Sequence, residues 1–357
     1  MELHDFWFFL IGVLWSGYFV LEGFDFGVGM LLPFLGRNDE DRDTLFGSIG
    51  PVWDGNEVWL VTAAGATFAA FAQWYATMFS GFYLALLAVL VLLIVRVVSF
   101  EWREKIDHGA WQNFWTTMNV IASYGVPFLW GVALSSLLAG VPIDGDKEFT
   151  GTVLDLFSWY SVLGGFAFVA VFAWHGSIFL TLRTNGRIRE RALGVTLKLA
   201  PVAVLLGTAY LIGTFYTGVH VNDKGLGAGL VIVPLGVLAL LLAWYAAAKR
   251  REGLAFASTC VAILMSIVLL FAELFPRVMV SSTDFANSLT TANASASHYT
   301  LVVMTVVALT ITPIVLLYQG WTYYVFRARL GQVEEVSNPL DLLAKKGNQE
   351  GRGPGGG

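Results

Sequence analysis

Long apolar stretches separated by short polar segments run through most of the chain. A membrane-spanning helix needs about 20 mostly apolar residues, and these stretches reach that length. The pattern predicts an all-α integral membrane protein with about nine transmembrane helices, which form a single transmembrane domain over residues 1–330. The predicted spans are 6–34, 52–72, 78–100, 115–140, 154–182, 197–219, 227–248, 255–276 and 300–326.

The least distinct boundary lies between the second and third predicted spans, where Gln73, Trp74 and Tyr75 interrupt the apolar pattern. Aromatic residues are enriched at membrane interfaces, so this pair is expected there. The acidic start of the chain lacks the basic segment of a signal peptide, so the first span is expected to be retained. Residues 331–357 are polar and end in a glycine-rich run, which predicts a disordered cytoplasmic tail.

Basic residues are distributed unevenly between the two sets of loops. Of the 21 Lys and Arg, 18 follow odd-numbered predicted spans, and only Lys147, Lys224 and Arg277 follow even-numbered ones. Loops rich in Lys and Arg stay in the cytoplasm. This predicts an N-terminus outside and a C-terminus in the cytoplasm. A count of eight or ten spans would break the alternation, so the count and the orientation support each other.

Composition agrees with a membrane protein and excludes several other classes. Charged residues make up only 13% of the chain, whereas soluble domains contain about 25%. This low share of charge makes membrane lipid an expected partner. The net charge is −5 and no basic domain is present, so nucleic acid is not an expected partner. The single cysteine, Cys260, excludes an intrachain disulfide and a cysteine-based metal site. No metal ligated by this chain is expected.

Two carboxylates lie deep inside the first predicted span. Glu22 and Asp25 are three residues apart, so they share one face of a helix. They lie roughly 15–20 Å from the inner end of the span, given the rise of an α-helix. Ionisable residues inside a membrane span are costly and usually functional. These two residues are therefore the first candidates for a functional site.

Further charged residues lie near the cytoplasmic ends of the next two spans. Asp54 and Glu57 share a face at the start of the second span, and Arg96 lies at the end of the third. One interpretation is an interfacial cap, in which the acids complement the helix N-terminus and Arg96 pairs with one of them. That cap does not explain Glu22 and Asp25. Four carboxylates facing one arginine cannot all be ionised in a low dielectric, so some should hold protons near neutral pH, as expected of a proton or cation inlet.

Histidine is scarce in the predicted spans, and only His175 lies inside one. A low-spin haem needs two axial ligands, commonly His or Met. A single intramembrane histidine cannot supply them for several haems. We therefore predict that His175 is a hydrogen-bonded packing residue and that no haem iron is ligated by this chain.

Several motifs together resemble subunit II of the cytochrome bd-type quinol oxidases, and the resemblance extends over nearly the whole chain to about Leu330. The Trp-Asp-Gly-Asn run is the most specific of these motifs. The matching runs are Gly23-Phe-Asp-Phe-Gly-Val-Gly29, Phe34-Leu-Gly-Arg-Asn38, Trp53-Asp-Gly-Asn-Glu-Val-Trp-Leu60, Ser80-Gly-Phe-Tyr83, Phe100-Glu-Trp-Arg103, Trp174-His-Gly176 and Tyr318-Gln-Gly-Trp-Thr-Tyr-Tyr324.

The resemblance implies a fold of two four-helix bundles plus one peripheral helix in a bacterial cell membrane. It implies a complex that oxidises quinol and reduces dioxygen to water without pumping protons, in which vectorial proton uptake makes the reaction electrogenic. Haem b558, haem b595 and haem d of that complex are carried chiefly by subunit I, the heterodimeric partner of this chain. Small accessory subunits and a quinone bound in subunit II occur in some members of the family.

The resemblance also implies a cytoplasmic proton path in subunit II. Family carboxylates match Glu22 and Asp25, and a Trp, an Asp and an Arg match Trp53, Asp54 and Arg96. The family more often has Asp where this chain has Glu22, so the carboxylate is kept but its reach is longer. Glu57 joins the candidate path because it shares a helical face with Asp54, not because of the resemblance.

Two other functions fit the residues alone. A secondary transporter would couple protons or sodium to a substrate through Glu22 and Asp25, and nearby glycines would permit an unwound helix. However, the chain shows no internal repeat of the kind that transporters have. A structural or assembly subunit without an ion path would fit the interfacial cap. The length of the motif match favours the oxidase subunit over both.

Overall fold

The computed structural model describes residues 2–330, and the predicted tail 331–357 lies outside the described residues. The described part is almost entirely helical, apart from two 3-10 turns and a short antiparallel pair of strands, β1 (Arg277–Met279) and β2 (Leu289–Thr290). Its helices are α1 (Leu3–Leu35), α2 (Asp39–Ile49), α3 (Trp53–Ala70), α4 (Ala72–Gly81), α5 (Tyr83–Trp102), α6 (Gly109–Ala139), α7 (Trp159–Arg183), α8 (Gly186–Val221), α9 (Gly229–Ala248), α10 (Glu252–Leu274) and α11 (His298–Val325).

Within residues 2–330, eight helices are long and apolar enough to cross a membrane, namely α1 and α5 to α11. This confirms the predicted all-α membrane protein. The second predicted span corresponds to α3, which is not one of the eight. Asp54, Asn56 and Glu57 in its first two turns lower its mean hydropathy. The count of nine spans therefore stays a prediction.

Two short helices were not predicted as separate elements. The helix α2 begins after Asn38, whose side chain accepts a hydrogen bond from the backbone N–H of Asp41 at 2.7 Å. It buries Leu45 and Ile49 against the ends of neighbouring helices. The helix α4 occupies the break after the second predicted span. Trp74 is only 1% exposed there, because it packs against Phe8 of α1.

The long helices form two groups of four. In the first group, α1 packs against α3 and α6, and α6 packs against α5. In the second group, α7, α8, α9 and α10 pack against one another. The helix α11 lies outside both groups against α1 and α3, and Leu301 is its only buried residue. The arrangement is the predicted one of two four-helix bundles and a peripheral helix.

The two groups meet where α1 crosses α7. Gly27 of α1 and Gly176 of α7 face each other so closely that a Cβ atom on Gly27 would collide with the carbonyl oxygen of Phe172. A Cβ on Gly176 would in turn collide with the backbone of Gly27. Small residues let helix backbones approach in this way. As a result α1 belongs to both groups, and the face opposite to Gly27 is directed into the first group.

Candidate functional site

The face of α1 that is directed into the first group carries three polar side chains. Tyr18, Glu22 and Asp25 are spaced by four and three residues, which places them on one side of the helix. All three are fully buried. The sequence prediction that Glu22 and Asp25 share a protected face agrees with this geometry. We refer to Glu22, Asp25 and Glu57 together with Arg96 as the acidic cluster.

Arg96 of α5 forms a buried ion pair with Glu22. Its Nη1 donates to Glu22 Oε1, and neither side chain has any solvent exposure. The guanidinium carbon lies 4.4 Å from the ring centroid of Phe26 and 5.4 Å from that of Phe100. Aromatic rings favour a cation over their faces. Arg96 is therefore held by one carboxylate and two rings inside the helix group.

Asp25 is held by a neutral partner instead. The Nδ2 of Asn56 on α3 donates to Asp25 Oδ2 at 2.7 Å, and Asn56 is completely buried. The Oδ1 of the same amide accepts from the hydroxyl of Tyr323 at 2.6 Å. Tyr323 lies near the end of α11. The amide thus connects the peripheral helix to a carboxylate in the centre of the first group.

The remaining predicted residues lie at the start of α3. Asp54 is exposed and lines a cavity of about 520 Å³ between α3 and α11, together with Asn56 and Tyr323. Trp53 stacks on Phe100, with ring centroids 5.0 Å apart. Because Phe100 also lies against Arg96, Trp53 contacts the acidic cluster through that ring.

Arg96 differs from the sequence expectation in one respect. We expected it at the cytoplasmic mouth, where it would pair with Asp54 or Glu57. Among the described residues, its ion pair is with Glu22, and no ion pair joins it to Asp54. Asp54 is exposed, and an exposed carboxylate gains little from a counter-charge. A buried arginine needs its partner inside the protein, and Glu22 is the carboxylate that its side chain reaches.

Several buried polar atoms around this face have no hydrogen-bond partner among residues 2–330. They are Tyr18 Oη, Glu22 Oε2, Asp25 Oδ1, Glu57 Oε2, and Arg96 Nε and Nη2. Buried polar groups in proteins are normally satisfied by protein or by ordered water. A polar site of this kind suits bridging water molecules. Arg96 interacts electrostatically with Glu22, Asp25, Glu57 and Tyr18. A change in the charge of one of these side chains therefore affects the others.

Sequence reasoning missed three residues of this site. Asn56 and Tyr323 lie within motifs that the sequence analysis identified, but nothing in their spacing showed that they meet. Tyr18 lies four residues before Glu22, and this helical spacing was the available signal. Tyrosines in apolar spans commonly lie at membrane interfaces. The burial of Tyr18 beside Glu22 could therefore be recognised only from the three-dimensional structure.

His175 does not fit the ligation of a haem iron. Its Nδ1 lies 2.6 Å from Thr259 Oγ1, and its Nε2 lies 3.1 Å from the carbonyl oxygen of Val20. The imidazole stacks on Phe256, with ring centroids 4.7 Å apart. Both ring nitrogens are therefore engaged within the protein. Within residues 2–330, no group of three or more His, Cys, Asp or Glu side chains could hold a metal ion.

Comparisons with known proteins give one consistent result. Residues 3–326 match the family described as cytochrome bd terminal oxidase subunit II. The chain is 43% identical over 339 residues to cytochrome bd ubiquinol oxidase subunit 2 of Bacillus subtilis, which covers 94% of this chain and 99% of that protein. It is 38% identical over 368 residues to cytochrome bd-I ubiquinol oxidase subunit 2 of Escherichia coli K12, which covers 94% and 97%.

A solved structure shares the fold. The bd oxidase from Geobacillus thermodenitrificans superposes with a TM-score of 0.73 at 15% identity, over 91% of this chain and 97% of that one. At this low identity the likeness concerns the fold alone. The sequence matches carry the assignment, and nothing in them supports the transporter alternative. This chain belongs to the cytochrome bd terminal oxidase subunit II family.

Proposed function

We propose that this chain works as subunit II of a quinol oxidase in a bacterial cell membrane and supplies protons to the partner that reduces dioxygen. The acidic cluster is the observation that carries the proposal, because buried ionisable groups in a membrane protein are rarely retained without a function. Reduction of dioxygen to water consumes protons, and quinol supplies the electrons. A membrane-embedded oxygen site therefore needs a proton route through the protein.

The residues of this chain suggest the order of that route. Asp54 is exposed and would take protons at the cytoplasmic mouth. Asp25 and Glu22 lie deeper on α1 and would pass them towards the partner. Arg96 would keep the charge of the cluster balanced through its pair with Glu22. Trp53 would close the cytoplasmic side through its stack on Phe100, while Glu57 would add a further carboxylate.

Haem groups belong to the complex, and we assign haem b558, haem b595 and haem d to the partner subunit I. Haem supplies the electron transfer and dioxygen chemistry of such an oxidase. His175, the intramembrane histidine of this chain, has both nitrogens engaged by Thr259 and Val20, which supports the assignment. The role of this chain would then be to hold the partner and to deliver protons.

The partner would dock on the first group of helices, where α3 and α5 leave a groove of about 520 Å³. Exposed apolar side chains line or flank it, including Val61, Phe68 and Leu90 at 70%, 57% and 54% exposure. Cysteine at position 61 or 90, in a Cys260→Ser background, should cross-link to subunit I. Cysteine at Leu205 of α8, which is 68% exposed, serves as the control. Cross-linking only from position 205 would contradict this interface.

The route also requires a defined orientation, with the start of α3 on the cytoplasmic side. The distribution of Lys and Arg supports it, with the N-terminus outside and nine spans. A cysteine at Gly145, in the loop between α6 and α7, should react with an impermeant reagent added to whole cells. Labelling only in inverted vesicles would contradict the orientation.

The decisive test of the proposed route is oxygen consumption by the purified complex, normalised to its haem content. The Glu22→Gln/Asp25→Asn double variant should lose about 100-fold in turnover, the scale of a lost proton-transfer step. Asp54→Asn should lose less, because water reaches the mouth directly. Glu252→Gln is the matched control, since Glu252 is also buried and paired with arginine but lies outside the cluster. Full activity of the double variant would leave the carboxylates with a structural role only.

A further inference from the structure

We infer that Tyr323 of the peripheral helix α11 is a positioning residue for Asp25 and acts through the amide of Asn56. The inference rests on the proposed function, in which Asp25 carries protons. The three groups form a continuous chain, with 2.6 Å from the tyrosine oxygen to the amide oxygen and 2.7 Å from the amide nitrogen to the carboxylate. They come from α11, α3 and α1, so three helices meet in this one hydrogen-bond chain.

The hydroxyl of Tyr323 selects one of the two orientations of the amide. A side-chain amide has a donor end and an acceptor end, whereas a carboxylate only accepts. With Tyr323 donating to Oδ1, the Nδ2 group of Asn56 is directed at Asp25. Rotation of the amide by half a turn would bring two acceptor oxygens together at Asp25, and the Tyr323 hydroxyl would then have to accept a hydrogen bond instead of donating one. Asn56 is fully buried, and Tyr323 is the donor that its Oδ1 has among the described residues.

This arrangement leaves the two oxygens of Asp25 in different environments. Oδ2 is held by Asn56, while Oδ1 is buried and has no partner among the described residues. Within the proposed route, Oδ1 is the oxygen that takes and releases the proton, because Asn56 holds Oδ2. Holding Oδ2 in place also fixes the direction in which Oδ1 points, and geometry of this kind controls the rate of proton transfer. Tyr323 thus acts on turnover without itself carrying the proton.

The contacts of α11 allow the effect of Tyr323 on Asp25 to be distinguished from its effect on the attachment of α11 to α3. Leu301 is the only buried residue of α11, so packing holds it weakly. One turn before Tyr323, Gln319 accepts from Trp59 Nε1 at 2.8 Å and donates to the carbonyl oxygen of Gly55 at 3.3 Å. Gln319 anchors the same end of α11 to α3 but does not touch the amide of Asn56. Its loss should loosen the helix without reorienting Asp25 directly.

The experiment uses the intact purified complex with Tyr323→Phe, Asn56→Ala and the double variant. Tyr323→Phe removes one oxygen and should lower turnover roughly five-fold, the scale of one neutral hydrogen bond. The KM for quinol should stay unchanged. Asn56→Ala should lose at least as much, and adding Tyr323→Phe to it should cause no further loss. Tyr324→Phe, which alters an exposed neighbouring tyrosine, is the control and should behave as wild type.

Infrared difference spectroscopy provides a readout that a purely structural role would not move. The carboxyl band of Asp25, identified by its loss in Asp25→Asn, should shift in Tyr323→Phe and stay in place in Gln319→Leu. A wild-type band and wild-type turnover in Tyr323→Phe, alongside an impaired Asp25→Asn, would overturn this inference alone. The same holds if Gln319→Leu reproduces the effects of Tyr323→Phe. Full activity of Asp25→Asn would overturn the proposed function and this inference with it.

Discussion

The two groups of four helices solve the problem of polar side chains in a membrane protein in opposite ways. In the second group, α7 to α10, several internal hydroxyl groups pair with neutral partners, and the buried atoms without a partner among residues 2–330 are only Trp174 Nε1 and Glu273 Oε2. Tyr160 donates or accepts a hydrogen bond with Thr214 at 2.9 Å, and Thr196 donates to Ser177 at 2.9 Å. The first group instead encloses three carboxylates and an arginine, with several polar atoms lacking partners in the described chain.

The charges of the two groups also lie at different depths. The helix α9 has no charged residue, and α7 and α10 carry theirs only at their ends. Glu252 at the start of α10 pairs with Arg189 and Arg329 at 2.5 and 2.8 Å. In the first group, by contrast, Glu22 and Asp25 lie deep in a helix that crosses the membrane. Similar helix packing therefore provides a scaffold in the second group and encloses an ionisable site in the first group.

The largest effect in this comparison is expected from removing the arginine of the first group. Arg96→Met leaves Glu22 buried without its counter-charge, which costs about 3–5 kcal/mol. The purified complex should melt at a much lower temperature or fail to assemble. Adding Glu22→Gln should restore much of the loss, because no uncompensated charge then remains buried. A double variant no more stable than Arg96→Met would show that the pair does not act as a unit.

A smaller effect is expected at the histidine of the second group. His175→Leu removes two neutral hydrogen bonds, and each contributes roughly 1 kcal/mol. Thermal denaturation of the complex should register this loss, while the visible absorption bands of all haems remain. Disappearance of one band from an assembled complex would mean that His175 ligates a haem, contrary to our assignment.

The smallest effect is expected at Tyr160, whose ring stacks on that of Tyr210 at 5.7 Å between centroids. Tyr160→Phe keeps the stack and removes one hydroxyl, and Thr214 keeps its own bond to the carbonyl oxygen of Tyr210. The free energy of unfolding should fall by about 0.5–1.5 kcal/mol. Turnover per haem should not change. A large loss of turnover in a normally stable variant would place an ionisable pathway in the second group as well.

The helices of both groups overlap the predicted spans because apolar length is a local property of the sequence. The predicted span 227–248 compares with Gly229–Ala248, and 255–276 with Glu252–Leu274. The short helices α2 and α4 were not predicted as separate elements, since both are shorter than a membrane span and gain stability from packing. The burial of Trp74 against Phe8 was likewise not predicted, because the two residues are far apart in the sequence.

The candidate site was predictable only as far as helical spacing reaches. Positions 22 and 25 share a face in any α-helix, so their proximity followed from the sequence. The partner of Arg96 did not, because a long side chain has a choice of carboxylates and burial decides between them. Tyr323 and Asn56 are separated by 267 positions, and only the tertiary fold brings α11 against α3.

The contact between Gly27 and Gly176 has a mechanical consequence for the whole subunit. The backbones of α1 and α7 touch there, and a slide by one residue in either direction would drive a side chain into the gap. The two halves of the molecule are therefore interlocked, unlike the halves of a transporter that rock against each other to expose a substrate alternately. Any proton that crosses this subunit has to move by rearrangement of side chains and water inside a stationary frame.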